Sequence, residues 1–145
     1  MGGNSCNSGM IFTLQKNIFR IMASAQPRTS CRGLFKQSEI LPVPCQHILL
    51  LKNFTINNHA NFQTKSCIHN INNTRHEHHL HRPNASLPCF QKSTSYAGIK
   101  IFSSLPTSLT IPKINKAKFK AAVIKYFKTH FFCSVDEFFM CKDGP

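Results

Sequence analysis

Between residues 11 and 22, Ile11, Leu14, Ile18, Ile21 and Met22 recur at three- and four-residue intervals, while Lys16 and Arg20 fall together on the other side. That spacing has the 3.6-residue period of a helix, and it predicts an amphipathic helix over 11–22 with the isoleucine stripe as its apolar face. Pro27 breaks the chain, and Thr29 or Ser30 then stands as the cap of a short second helix through Leu34 and Phe35. Pro42 and Pro44 interrupt again, but Pro44 also suits the first turn of a third helix through Ile48, Leu49, Leu50, Leu51 and Phe54. This third segment is apolar almost all round yet too short to span a bilayer, so it reads as core.

The pattern fades into the Asn-rich stretch 57–61, and from 62 to 93 Asn, His, Pro and Ser dominate with little periodicity. An irregular, poorly ordered connection is expected there. Ile99, Ile101 and Phe102 supply the apolar face of a short helix over 96–105 that Pro106 stops. Asn115 is placed to cap a helix over 116–128, with Phe119, Ala122, Val123, Tyr126 and Phe127 on one stripe and Lys118, Lys120, Lys125 and Lys128 around the other side. In the closing FFCSVDEFFM segment, Ser134 and Glu137 have the Ser-x-x-Glu spacing of a capping box, predicting an apolar turn docked on the last helix. The expected fold is therefore mainly α, a small helical domain with a long irregular His/Asn-rich connection. Its segments are a disordered N-terminus (1–10), a helical segment (11–56), the irregular loop (57–93), a second helical segment with its docked turn (94–139) and a tail (140–145).

A length of 145 residues and a hydrophobic fraction of 41% suit one small domain. Charge changes the picture more: 18 Lys+Arg against 5 Asp+Glu give a formal +13, which favours an anionic polymer as partner. Seven cysteines, an odd number with no CxxC pair, fit neither a disulfide framework nor a paired-thiolate zinc site. With no signal-like apolar region and no run long enough to cross a bilayer, the expectation is an intracellular protein of cytoplasm or nucleus without a membrane partner.

Two-metal polymerase or nuclease chemistry needs several converging carboxylates. Only Glu39, Glu77, Asp136, Glu137 and Asp143 are present, and the adjacent Asp136 and Glu137 point in different directions on a helix or strand. No local motif singles out a Cys/His nucleophile pair, and the glycines form neither GxxxxGK nor GxGxxG. No catalytic residue and no cofactor are assigned. The segment IHNINNTRHEHHLH, between Cys67 and Cys89, offers His69, His76, His78, His79 and His81 as imidazoles, but their crowding matches no common zinc spacing, and Arg75 and Arg82 repel a cation. No metal is assigned. Lys118, Lys120, Lys125 and Lys128, extended by Lys116, Lys16, Arg20 and Arg75, form the candidate surface for an RNA or DNA backbone, read without sequence preference.

The order of segments carries a further signal: IFTLQKNIFRIMA, RTSCRGLFKQSEILPVPCQHILLL, IHNINNTRHEHHLH, YAGIKIFSSLP and FKAAVIKYFKTHFFCSVDEFF. Together they resemble the extreme C-terminal region of the reverse transcriptase polyprotein of jockey-like, arthropod-type non-LTR retrotransposons, over nearly the whole chain. The most specific pieces are Leu14-Gln15-Lys16 with Arg20, Ser30-Cys31-Arg32 before Leu34-Phe35, the Asn-Thr-Arg-His run ending at His76, Leu105-Pro106, and Ser134-Val135-Asp136-Glu137-Phe138. Two departures are the doubled Asn72-Asn73 and Ser103 where that family commonly has Asn. The resemblance implies a fragment of an RNA-directed DNA polymerase that lacks the catalytic palm and its paired aspartates, with upstream reverse transcriptase domains as partners in the intact parent. Two other readings stand beside it: a small His-rich metal-binding or adaptor protein, and a translated relic without function.

Overall fold

Two prolines and one glutamine side chain set the start of the central helix. Pro42 caps it and Pro44 occupies its first turn, where a missing backbone N–H removes nothing, because the first-turn donors have no partner inside the helix. The Val43 N–H, one such orphan donor, is accepted by Gln15 Oε1 at 2.9 Å, and Gln15 Nε2 donates to the Leu41 carbonyl at 3.3 Å. In this computed structural model, which describes residues 7–64, 67–68, 80–84, 86–105 and 116–141, the helices are α1 (Ser8–Met22), α2 (Cys31–Ser38), α3 (Val43–Asn57), α4 (Pro88–Gln91), α5 (Thr94–Ser103), α6 (Lys116–Thr129) and α7 (Val135–Met140), with a 3-10 turn at His59–Asn61. The protein is mainly helical, as expected. Among the described residues there is no strand, only an isolated antiparallel bridge between Thr64 and Leu80.

Helix α3 is the hub, packing against α1, α5, α6 and α7. Its buried Cys45, Ile48 and Leu51 join Ile101, Leu105, Phe119, Val123, Phe127, Phe132 and Phe138 in the main core. The approach of α5 to α3 is close enough to require glycine: a Cβ on Gly98 would collide with Thr55 Oγ1 and crowd the Leu51 carbonyl. Thr55 is itself buried and satisfied, its hydroxyl donating to the Leu51 carbonyl at 2.9 Å. A second cluster joins Phe19, Cys31, Phe35 and Phe131, and a third joins Leu80, Ile99 and Phe102.

Capping chemistry explains where the later helices begin. The Ser93 hydroxyl accepts the Tyr96 N–H at 3.2 Å, so α5 starts at Thr94, two residues before the position expected from its apolar face. At α7 the Ser134 hydroxyl accepts the Glu137 N–H at 3.0 Å, the forward half of the anticipated box. The reverse half reaches one residue further back than the motif prescribes, with Glu137 Oε2 accepting from the Cys133 N–H at 2.7 Å. Arg32 of α2 pairs with the other oxygen of that carboxylate, which ties α2 to the α7 cap. Helix α2 has Ser30 at its N-cap without a side-chain hydrogen bond, and Glu39 in the left-handed region (φ 55°) at its C-cap. The expected Asn115 cap of α6 lies outside the described residues.

Three expectations need correction. Helix α1 begins at Ser8, inside the stretch 1–10 expected to be disordered, and α4 forms a turn of helix inside the supposedly irregular 57–93, opened by Pro88 at its first turn. More consequential is the orientation of α1. An apolar stripe ordinarily turns inward, yet Ile11, Leu14, Ile18, Ile21 and Met22 are all exposed. The core instead takes Phe19, with Phe12 half-buried beside it: the two rings meet Phe35 at centroid distances of 4.7 and 6.2 Å. At about 100° per residue, the Phe12–Phe19 stripe lies roughly 100° around the helix from the isoleucine stripe. With the phenylalanine side turned inward, Gln15, which lies between the two stripes, reaches the start of α3, and aromatic pairs stabilise beyond their area burial by about 0.5–1.5 kcal/mol each.

Candidate nucleic-acid interface

Helix α6 carries most of the expected basic residues, and its inner face fixes which way they point. Phe119, Val123 and Phe127 are buried at four-residue intervals in the main core, so the helix cannot rotate without exposing all three. Lys118 and Lys125 are exposed on the far side. Seven residues is close to two helical turns, which sets the two lysines on one face about 10 Å apart along the axis. That is about three nucleotide steps of a single strand at ~3.4 Å per phosphate. Neither lysine has an ion-pair partner among the described residues.

The other expected members are dispersed or engaged. Lys120 is exposed but projects from the flank of α6, two residues on from Lys118 and so about 200° around the helix from it. Lys128 donates to Glu39 Oε2 at 2.8 Å, a contact that holds the Glu39 carboxyl below its usual range. Lys16 and Arg20 sit on α1: Lys16 Nζ lies 4.7 Å from the Phe12 ring centroid, while Arg20 donates to the Thr29 carbonyl at 3.1 Å and to Asn17 Oδ1 at 3.3 Å. These contacts brace the turn from α1 into α2. Arg75 and the Lys116 side chain lie outside the described residues. The face common to one helix therefore consists of Lys118 and Lys125, with Lys128 at its edge.

Of the histidine segment, His69, His76, His78 and His79 also lie outside the described residues. Among the described residues no three His, Cys, Asp or Glu side chains converge as metal ligands. The described cysteines, Cys31, Cys45, Cys67, Cys89, Cys133 and Cys141, are all free. Cys45 is fully buried with its thiol directed at the Phe132 carbonyl, and burial pushes that thiol up to about 12. No described helix is long and apolar enough to cross a membrane.

A cavity of about 520 Å³ opens between the N-terminal ends of α1, α3 and α7 and the side of α5. Its wall includes His47, Tyr96, Lys100, Ser134, Asp136 and Phe139. Burial lowers the His47 pKa, which favours neutral imidazole. Among the described residues no hydrogen bond joins His47 to Ser134 or Asp136; the Ser134 hydroxyl is engaged in the α7 cap, and Lys100 Nζ lies 4.5 Å from the Phe139 ring centroid. With both Lys100 and Asp136 in its wall, the cavity selects neither sign of charge.

One buried group escaped the sequence reading. Lys52 is completely buried, and its Nζ has no hydrogen-bond partner among the described residues. The nitrogen lies 5.0 Å from the Phe127 ring centroid and 5.2 Å from that of Phe138, and burial lowers its pKa to about 6. The available signal was spacing: Cys45, Ile48, Lys52 and Thr55 follow at three, four and three residues, and all four are fully buried. No family model matches the chain, and no curated protein or solved structure does either.

Proposed function

We propose that this chain is a basic helical segment that binds the backbone of RNA or DNA, descended from the C-terminal region of a non-LTR retrotransposon reverse transcriptase and making no DNA by itself. The observation that carries the binding half is the Lys118–Lys125 face: two exposed amines, without an ion-pair partner among the described residues, held on a helix whose opposite face is anchored by three buried residues. The formal charge of +13 supports it, because a polyanion releases condensed counterions when such a surface neutralises its phosphates. Lysines here contact phosphate rather than base edges, so different sequences bind alike. The descent rests on the order of the segments running from Leu14-Gln15-Lys16 to Ser134-Val135-Asp136-Glu137-Phe138.

Fluorescence anisotropy with labelled 30-nucleotide RNA and 30-base-pair DNA at low salt tests the binding. Lys118→Ala with Lys125→Ala should weaken it about ten-fold or more, equally for unrelated sequences, with an unchanged circular dichroism spectrum. Wild-type affinity in the double variant would overturn the assignment of this face. A primer-extension assay in which the chain synthesises DNA would overturn the inactive reading.

A further inference from the structure

Among the described residues, the outward side of α1 is an unpartnered apolar seam. Met10, Ile11, Leu14, Ile18, Ile21 and Met22 are 48 to 78% exposed, although this helix is already anchored by Phe19 on its other side. Together they present on the order of 600 Å² of apolar surface, at the upper end of the largest patch on an ordinary monomer. The seam has a register. Ile11, Leu14, Ile18 and Ile21 follow at three, four and three residues, which are the a and d positions of two heptads. The flanking e and g positions are Met10, Gln15, Asn17 and Met22, none of them charged. In a chain of net charge +13, the charges of α1 are confined to Lys16 and Arg20, both away from the seam.

We propose that α1 pairs with α1 of a second copy of this chain, about a two-fold axis, through the Ile11–Leu14–Ile18–Ile21 seam. Three observations select a second copy. The heptad spacing is that of a surface which fits its own image, since isoleucine and leucine knobs enter the holes of a like helix. The uncharged flanks let two strongly basic chains meet there without local repulsion. The area is sufficient: a symmetric pair covers on the order of 1,200 Å², the lower bound of specific interfaces. Two heptads are too short to pair as free peptides, but α1 is already held as a helix by Phe12 and Phe19 on its other side, so pairing orders no backbone.

Sedimentation equilibrium of the full chain from about 1 to 100 µM tests this. The expected result is a rise from 16.4 kDa toward twice that mass with a plateau, at lower concentration in high salt, where repulsion between the basic copies is screened. Leu14→Gln with Ile18→Gln should shift the midpoint at least ten-fold to higher concentration. Both side chains are exposed in the monomer, so its circular dichroism spectrum should not change. Leu50→Gln, an exposed apolar residue on α3, should leave the midpoint where it is. A monomer throughout the range, a mass that grows without plateau, or a seam variant that associates like wild type would each overturn the proposal. Flotation of the monomeric chain with phosphatidylserine-containing vesicles, abolished by the same double variant, would assign the seam to a membrane surface instead and would equally overturn it.

Discussion

Replacing Lys52 with methionine should make this protein more stable, by an amount that depends on pH in a calculable way. In the unfolded chain the amine has the ordinary lysine value of 10.5; in the fold, burial lowers it to about 6. Below pH 10.5 the unfolded chain therefore holds a proton that the folded chain must give up, so stability falls as pH falls from 10.5 toward 6 and levels off below that. Each pH unit in this window is worth about 1.4 kcal/mol, and pH 7 lies ~3.5 units below 10.5, so the cost at neutrality is about 4–5 kcal/mol. Domains of this kind have only about 5–15 kcal/mol in total. The faces of Phe127 and Phe138 favour an ammonium, but they change the figure little, because at pH 7 the folded amine is already neutral. Methionine keeps the apolar stem at similar volume, with a packing adjustment below about 1.5 kcal/mol. Urea unfolding of wild type and Lys52→Met, followed by far-ultraviolet circular dichroism at pH 6 through 10, should show the variant stabilised by about 4 kcal/mol at pH 7. That gain should shrink by about 1.4 kcal/mol per pH unit toward pH 10. A destabilised variant, or a difference that does not vary with pH, would refute the assignment of Lys52 as a buried, unpaired amine.

The close contact of α5 on α3 predicts that Gly98→Ala destabilises by about 1–3 kcal/mol, read as a lower midpoint in the same urea titration, because the added methyl meets the Thr55 hydroxyl and the Leu51 carbonyl. Gly33, inside α2 with open space where a Cβ would stand, behaves oppositely: Gly33→Ala should stabilise by about 0.5–1 kcal/mol. Glu137 receives the Cys133 N–H and pairs with Arg32, so Glu137→Ala should lower stability by about 1–2 kcal/mol, whereas Asp136→Ala, an exposed neighbour, should change it by less than about 0.5 kcal/mol.

Local grammar made most of the helices legible. Pro44, Ser134 with Glu137, and the Phe119–Val123–Phe127 spacing each act within a turn or two of themselves, and the helices formed near where these residues indicate. What stayed hidden depends on which of two plausible faces meets the core. The isoleucine stripe of α1 is a better helical period than its phenylalanines, but Phe35 and Phe131 await the phenylalanines, and those partners lie in other segments. Lys52 was hidden for the same reason. A lysine within an apolar run reads as the wet side of a helix until α6 and α7 are known to close over it with Phe127 and Phe138. For the candidate site, the lysines of α6 were visible in the helical period, while the loss of Lys128 to Glu39 required a contact spanning most of the chain.

The salt dependence of binding bears most directly on the proposed function. Dissociation constants for a 30-base-pair duplex, measured by anisotropy between 50 and 300 mM salt, should give a straight line of log association constant against log salt with a slope of about −2 to −4, as two to four phosphates lose their counterions. Substituting both Lys118 and Lys125 with alanine should reduce that slope by about 2. Binding that is insensitive to salt, or a slope unaltered by the double substitution, would contradict a phosphate-backbone contact through this face of α6.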